Sequence, residues 1–232
     1  MASPGGLSGT YAFNPSLGET VLYAYGLCGI RRAQILQEHM ADARFAANLV
    51  LVDWLNQGVN LWQVEELTIP LVQGTASYSL PANVLNVLDA YVTSGPSFAL
   101  TDRTILPVSR TEYASYPNKA QQGQPTVFWM DRLLSPTVTL WPVPDGQETS
   151  VTFYVLRQAQ DANLTSGQQV EAPYAWLSAF AMGLAAKLAF SYAQDKLAVL
   201  VPAAKEVYQI AANTNIETAN TFISPMLSRY YR

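Results

Sequence analysis

Residues 38–62 read EHMADARFAANLVLVDWLNQGVNLW, and the change of hydrophobic period inside this stretch decides the fold. Met40, Ala43, Ala47, Val50 and Trp54 recur three or four residues apart, which puts them on one stripe of a helix predicted over 38–56. Gly58 stands where that helix should end, since glycine adopts the backbone conformations beyond a helix C-terminus at little steric cost. From Leu61 to about Arg157 the period drops to two: Val151, Phe153 and Val155 alternate with Thr152, Tyr154 and Leu156, as Val138 and Leu140 do with Thr137 and Thr139. Turn chemistry at Gln73-Gly74, Ser94-Gly95-Pro96, Gln122-Gly123-Gln124-Pro125 and Pro142-Val143-Pro144-Asp145-Gly146 divides this region, so short antiparallel strands are expected.

The flanks return to helical spacing. Ser16-Leu17-Gly18-Glu19 has the form of a capping box, in which the serine and glutamate side chains satisfy backbone amides at a helix start, and Leu17, Val21, Tyr25 and Cys28 follow it. On the far side, 159–171 is polar and reads as a surface loop. Pro173 suits a first helical turn, and a helix is predicted through Trp176, Phe180, Leu184, Lys187 and Phe190. A last helix begins near Asp195 with Leu197, Leu200, Ala204, Val207 and Ala211 on its stripe. Pro202 either kinks it, by removing the bond to Ala198, or starts a fresh helix. Helices at both ends and strands between them define an α+β chain: a flexible arm over 1–15, a bundle from 16–60 and 172–221, a β-rich insertion over 61–171, and a C-terminal tail over 222–232.

Only 13 % of the residues are charged while 11 % are aromatic, so much of the surface must be uncharged or apolar, as in a subunit covered by partners. A net charge of −4, a single His and the absence of any Lys/Arg run argue against gripping nucleic acid through its phosphates. One cysteine, Cys28, excludes an internal disulfide framework, argues against a structural zinc site, fits a cytosolic assembly route, and is expected in the core. Met1 to Gly9 lacks the basic and apolar regions of a signal peptide. The most apolar stretch, Tyr174 to Tyr192, is interrupted by Ser178, Gly183 and Lys187, and its alanines suit close helix packing better than a membrane span.

The sequence carries none of the common catalytic or metal-binding signatures. The chain has no G-x-S-x-G elbow, phosphate-binding G-x-x-x-x-G-K-[ST] loop, H-E-x-x-H helix or paired C-x-x-C motif. His39, beside Glu38 and near Asp42 at a helix start, is expected to be a solvated or hydrogen-bonded surface residue. Glu65 and Glu66 are adjacent on a strand and should point to opposite faces, which does not suit a glycosidase acid/base pair. Trp62, Tyr78, Phe128, Trp129, Trp141 and Tyr154 could form a sugar or base platform, but at strand spacing such residues are more often core or subunit contacts. Trp54 and Trp62, on either side of Gly58, are read as structural. No catalytic, cofactor-binding or metal-binding residues are assigned.

Four blocks then stand in order. The first is Asn48-Leu49-Val50-Leu51-Val52-Asp53-Trp54-Leu55-Asn56-Gln57-Gly58 with Leu61-Trp62. The second is Gly74 with Tyr78-Ser79-Leu80-Pro81 and Val84. The third is Val108-Ser109-Arg110-Thr111-Glu112-Tyr113 continuing to Pro117-Asn118-Lys119, Gly123-Gln124-Pro125 and Trp129-Met130-Asp131-Arg132, and the fourth is Leu140-Trp141-Pro142-Val143-Pro144-Asp145. Followed by an Ala-rich helix with Trp176 and Leu184, this order resembles the tail accessory, or head-to-tail adaptor, proteins of short-tailed phages, from about Gly18 to Ala212.

The resemblance implies a mostly helical body with a β extension. It also implies a homo-oligomeric ring, commonly a dodecamer, on the lower end of the portal, in the virion neck or tail after assembly in the host cytoplasm. Its partners would be the portal protein and the tail hub, nozzle or fibre proteins, with DNA passing through the lumen during ejection without specific binding. The tail from Phe222, with Ile223, Met226, Leu227, Arg229, Tyr230, Tyr231 and Arg232, holds much apolar area and two cations, and is expected to contact the portal. The alternative for the tail is that it folds back on its own bundle. The alternatives for the protein are a tail-associated cell-wall hydrolase and a glycan- or receptor-binding β module.

Overall fold

The computed structural model describes residues 10–216 apart from Ala12, Val59 and Ser97; residues 1–9 of the arm expected over 1–15, and the whole tail over 222–232, lie outside the described residues. The first helix, α1 (Leu17–Cys28), starts at the predicted capping box. The Ser16 N–H donates to Glu19 Oε2 at 2.8 Å, and the Glu19 N–H donates to Ser16 Oγ at 3.2 Å. It stops at Gly29, whose φ of 88° lets its N–H turn back to the carbonyls of Tyr25 and Gly26. Lys196 reaches the same end, its Nζ 3.3 Å from the Leu27 carbonyl, where a cation is favoured by the helix dipole.

The long helix α2 (Gln37–Gln57) matches the predicted span within a residue at each end, with Ala43, Ala47, Val50 and Trp54 buried and Met40 packed at the edge of the core. The Ala-rich segment begins with a 3₁₀ turn at Tyr174–Trp176, and Pro173 sits just before that turn, so its fixed φ orients the entry instead of lying inside the helix. We number the later bundle helices α4 (Leu177–Tyr192) and α5 (Leu197–Ala212), because a short α3 (Arg110–Ser115) intervenes.

Helix α4 is the centre of the bundle and packs against α1, α2 and α5. A Cβ on Gly183 would meet Val50 Cγ1 at 3.3 Å, so glycine permits the close approach of α2. Residues 174–192 are long and apolar enough to cross a membrane, and α4 spends that apolarity on Ala179, Phe180, Ala181, Leu184, Ala185, Leu188 and Ala189, all buried inside the bundle. Phe190 departs from the prediction and is exposed, because the core side of α4 is already filled by alanines and leucines. Helix α5 runs continuously through Pro202, which removes the fresh-start alternative.

Between α2 and α4 the chain forms seven strands: β1 (Val64–Pro70), β2 (Ser77–Ser79), β3 (Val84–Ser94), β4 (Thr101–Pro107), β5 (Val127–Asp131), β6 (Thr137–Trp141) and β7 (Glu148–Arg157). Their order in the sheet is β1-β7-β3-β4-β5-β6-β2. The chain is therefore α+β, with a mostly antiparallel sheet. The expectation of uniformly short antiparallel strands needs two corrections. Strands β3 and β7 have 11 and 10 residues. Strands β4 and β5 pair in parallel, at Leu106↔Val127 and Pro107↔Phe128. A parallel pair requires a long crossover, and residues 108–126, with α3 inside them, supply it.

The sheet is curled. Phe128 of β5 and Phe153 of β7 meet edge to face at 5.9 Å, although β3 and β4 lie between them in the sheet. In a flat sheet, strands three places apart would be roughly 14 Å apart. The curl encloses a second core that includes Tyr78, Val87, Val92, Ile105, Val138, Leu140, Val151 and Val155. Bundle and sheet thus each have their own apolar cluster.

The segment 159–171 is a surface loop as expected, most of it exposed, but it is not free of the bundle. It is a strap tucked against the bundle, with Ala162 and Val170 entering the helical core at 3 % and 9 % exposure. Asn48 of α2 fastens it: the Ala162 N–H donates to Asn48 Oδ1 at 3.0 Å, and Asn48 Nδ2 donates to the Ala162 carbonyl at 3.1 Å. Leu17 N–H donates to the Gln168 carbonyl at 2.7 Å, tying the strap to α1 as well. Many of its polar residues thus serve local and cross-segment hydrogen bonds.

Candidate assembly surfaces

The residues singled out for possible chemistry are placed apart and occupied. Glu65 lies 3.1 Å from Arg157 where the sheet meets the strap, while Glu66 accepts the Tyr91 hydroxyl at 3.1 Å on the other face. This separation follows from their neighbouring positions on β1. His39 Nδ1 accepts the Leu36 N–H at 3.2 Å and the ring stacks on Tyr192 at 4.8 Å, so the imidazole holds the start of α2 and packs between helices. The Tyr192 hydroxyl donates to Asp42, a bond that helps push its pKa up to about 12. Cys28 is buried and reaches the Ala185 carbonyl, and burial pushes its thiol up, the opposite of an activated nucleophile. Among the described residues no group of three or more His, Cys, Asp or Glu could hold a metal ion.

Nor do the six aromatics make an open platform. Tyr78 and Phe128 are in the sheet core, while Tyr154 is exposed on β7 with Tyr91 at 6.3 Å and apart from the other five. Trp62 packs on Trp176, which meets Trp54 at 4.9 Å, and Trp54 is only 4 % exposed, so this pair of tryptophans closes the end of the bundle as expected. Trp129 and Trp141 are stacked against Tyr113 at 5.4 Å and Tyr116 at 4.2 Å, both from the α3 segment. A sugar or base would need those ring faces. Lys119 adds its ammonium 5.0 Å from the Tyr113 ring and bonds the carbonyls of Tyr113, Ala114 and Tyr116, which pins the C-terminal end of α3.

A polar cleft of about 770 Å³ lies between the sheet and the strap, lined in part by Glu65, Asn83, Arg157 and Gln168. Its one guanidinium is already used. Arg157 pairs with both Glu65 and Glu171, and Glu171 also accepts the Gln160 N–H. Burial alone would raise the Glu171 carboxyl, but these donors outweigh it and hold the group below the usual carboxylate range. The cleft is a tie between strand β7 and the strap.

The uncovered groups are apolar. Phe45, Leu49 and Val52, at i, i+4 and i+7 of α2, are 68 %, 37 % and 49 % exposed on the face opposite the buried stripe. Val199 and Ile210 are exposed on α5, Phe190 on α4, and Leu133 and Leu134 at the β5–β6 turn. The predicted stripe of α2, from Met40 to Trp54, is the inner one, and Phe45, Leu49 and Val52 form a second, outer stripe. The signal was there, since a helix with apolar residues on both faces is normally covered on both.

Apolar residues left uncovered along α2 and α5, on a frame with two separate cores, are a surface suited to contacts with other macromolecules. The match to known proteins makes this specific: the model of the SU10 adaptor protein family matches residues 30–225, and the chain belongs to that family. It is a structural adaptor of the phage virion, associated with other virion components at the tail or neck. No curated protein matches the sequence.

Proposed function

We propose that the protein is the head-to-tail connector of its phage: a closed homo-oligomeric ring, of twelve copies, that docks below the portal and offers its opposite side to the tail hub or fibre proteins. The reading rests on one conjunction. A chain of the adaptor family leaves apolar residues uncovered along α2 and α5, and a ring subunit has neighbours to cover them. Each copy contributes a formal charge of −4, so the wall of the conduit is net negative and repels the DNA backbone as it passes. The work of the protein is binding, not turnover.

Phe222, Ile223, Met226, Leu227, Arg229, Tyr230, Tyr231 and Arg232 are proposed to contact the portal, which would gain apolar area and two guanidinium groups. Electron microscopy of particles containing this chain tests the reading: a ring of density between portal and tail, fitted by the bundle and curled sheet, is expected. Placement at a fibre tip, or absence from the particle, would overturn it.

A further inference from the structure

The turn between β5 and β6 is Arg132-Leu133-Leu134-Ser135-Pro136, with two adjacent leucines ahead of its Ser-Pro pair. Hairpin turns usually carry Gly, Asn, Asp or Ser, because these residues satisfy turn geometry and face water without cost. Two adjacent leucines bring neither benefit, and here Leu134 is 97 % exposed and Leu133 62 %. The root of the turn is fixed: Arg132 donates to Asn86 Oδ1 at 2.9 Å, and Leu80 N–H donates to the Pro136 carbonyl at 2.9 Å. The result is an apolar knob on a rigid stalk.

The same chain carries a matching hole. A cleft of about 350 Å³ is bounded by Phe13, Pro15, Tyr23, Leu177 and Ala181, with Glu19 at its rim. The cleft is large enough for two leucine side chains. The Glu19 carboxylate, bonded by Ser16, is held below the usual carboxylate range and is ionised at neutral pH. Arg132, with guanidinium donors beyond the one given to Asn86, supplies the opposite charge beside the knob.

We propose that the Leu133-Leu134 turn of one copy seats in the Phe13–Tyr23–Leu177 cleft of the next, with Arg132 facing Glu19. Knob and hole are different surfaces of one chain, so the contact is heterologous and repeats from copy to copy, as a ring requires. The inference rests on the adaptor reading and names the contact through which copies meet.

Phage particles carrying the full chain with Leu134→Cys and Tyr23→Cys, treated with a short thiol cross-linker, test it. A ladder of covalent multimers of this chain is expected, with none from either single variant, because the native Cys28 is buried. A second variant, Leu133→Ser with Leu134→Ser, alters only exposed side chains. It should keep the melting temperature of the purified chain and reduce incorporation into particles on the order of tenfold. Particles that hold the doubly substituted chain yet give only monomer, a link to a different virion protein, or normal incorporation of the serine variant would each overturn the proposed contact while leaving the adaptor reading in place. Absence of the unaltered chain from particles would instead overturn the adaptor reading.

Discussion

Replacing Asn48 by alanine should uncouple the strap from the bundle. In the native chain the Asn48 amide both accepts from and donates to the backbone of Ala162, at 3.0 and 3.1 Å, and also donates to the Arg44 carbonyl at 2.9 Å. Ala162 is 3 % exposed, so its N–H and C=O would be left buried without these partners. Each such group costs about 1–3 kcal/mol. The site lies partly open, which lowers the figure, and alanine returns up to about 0.7 kcal/mol through its helix propensity. A net loss of roughly 2 kcal/mol follows, and for a chain of this size each kcal/mol lowers the melting temperature by about 2–4 °C. Calorimetry should therefore show a fall of roughly 4–8 °C. Amide exchange should show faster exchange at Ala162 and across 159–171 with little change in the sheet. Asn48→Asp keeps an acceptor for the Ala162 N–H but sets a carboxylate against its carbonyl, and should be no better than alanine. An unchanged melting temperature together with undiminished protection at Ala162 would refute this account of the strap.

Three other outcomes are expected. Trp54→Ala should cost about 3–5 kcal/mol, because the indole is buried among Trp176, Phe180 and Tyr208, and a denaturant titration reads this directly. Glu148 is buried with one carboxylate oxygen lacking a partner, and burial, with Asp145 nearby, raises its pKa. A carboxyl raised on folding favours the protonated form, so its contribution declines as pH rises through the ordinary carboxyl range towards the raised value. Glu148→Gln should therefore raise the melting temperature at neutral pH, and the gain should vanish on acidification; a gain that persists below the carboxyl range would contradict this cause. Truncation after Asn220 should leave the melting temperature unchanged and abolish incorporation into tailed particles, and a large drop in melting temperature would mean that the tail folds back on its own bundle.

Much of the frame was legible because it depends on local chemistry. The Ser16–Glu19 capping box, the α2 span and strand β7 are each set by residues a few positions apart, and each formed where the spacing placed it, although Thr152 and Leu156, at the alternate positions of β7, are buried as well. What was missed depends on partners distant in sequence. The polarity of 159–171 looked like solvation, but Asn48, 114 residues away, takes up the backbone of Ala162. Nothing in the spacing of Tyr113 and Tyr116 shows that β5 and β6 bring Trp129 and Trp141 under them. The parallel pairing of β4 and β5 gives no periodic signal, since two paired residues are too few to imprint one. The surfaces were legible only as a bulk property. The low charge content required uncovered apolar area, whereas its location on the outer stripe of α2 and at the Leu133-Leu134 turn had to wait for the fold.

The division of the bundle between the two ends of the chain also sets the order in which the protein can form as it leaves the ribosome. Helices α1 and α2 are synthesised first, but the alanines and leucines they pack against lie in α4; the Cys28–Ala185 contact alone spans 157 residues. At about 5–20 residues per second, α2 waits several seconds to half a minute for its central partner. The strands are complete once Arg157 has emerged, so the curled sheet, with a core of its own, can close before the bundle does. During that interval both faces of α2 are uncovered, and a nascent chain on the same message carries the same unpaired stripe. The bundle is therefore the part of this fold most open to chaperone capture and to premature pairing between copies.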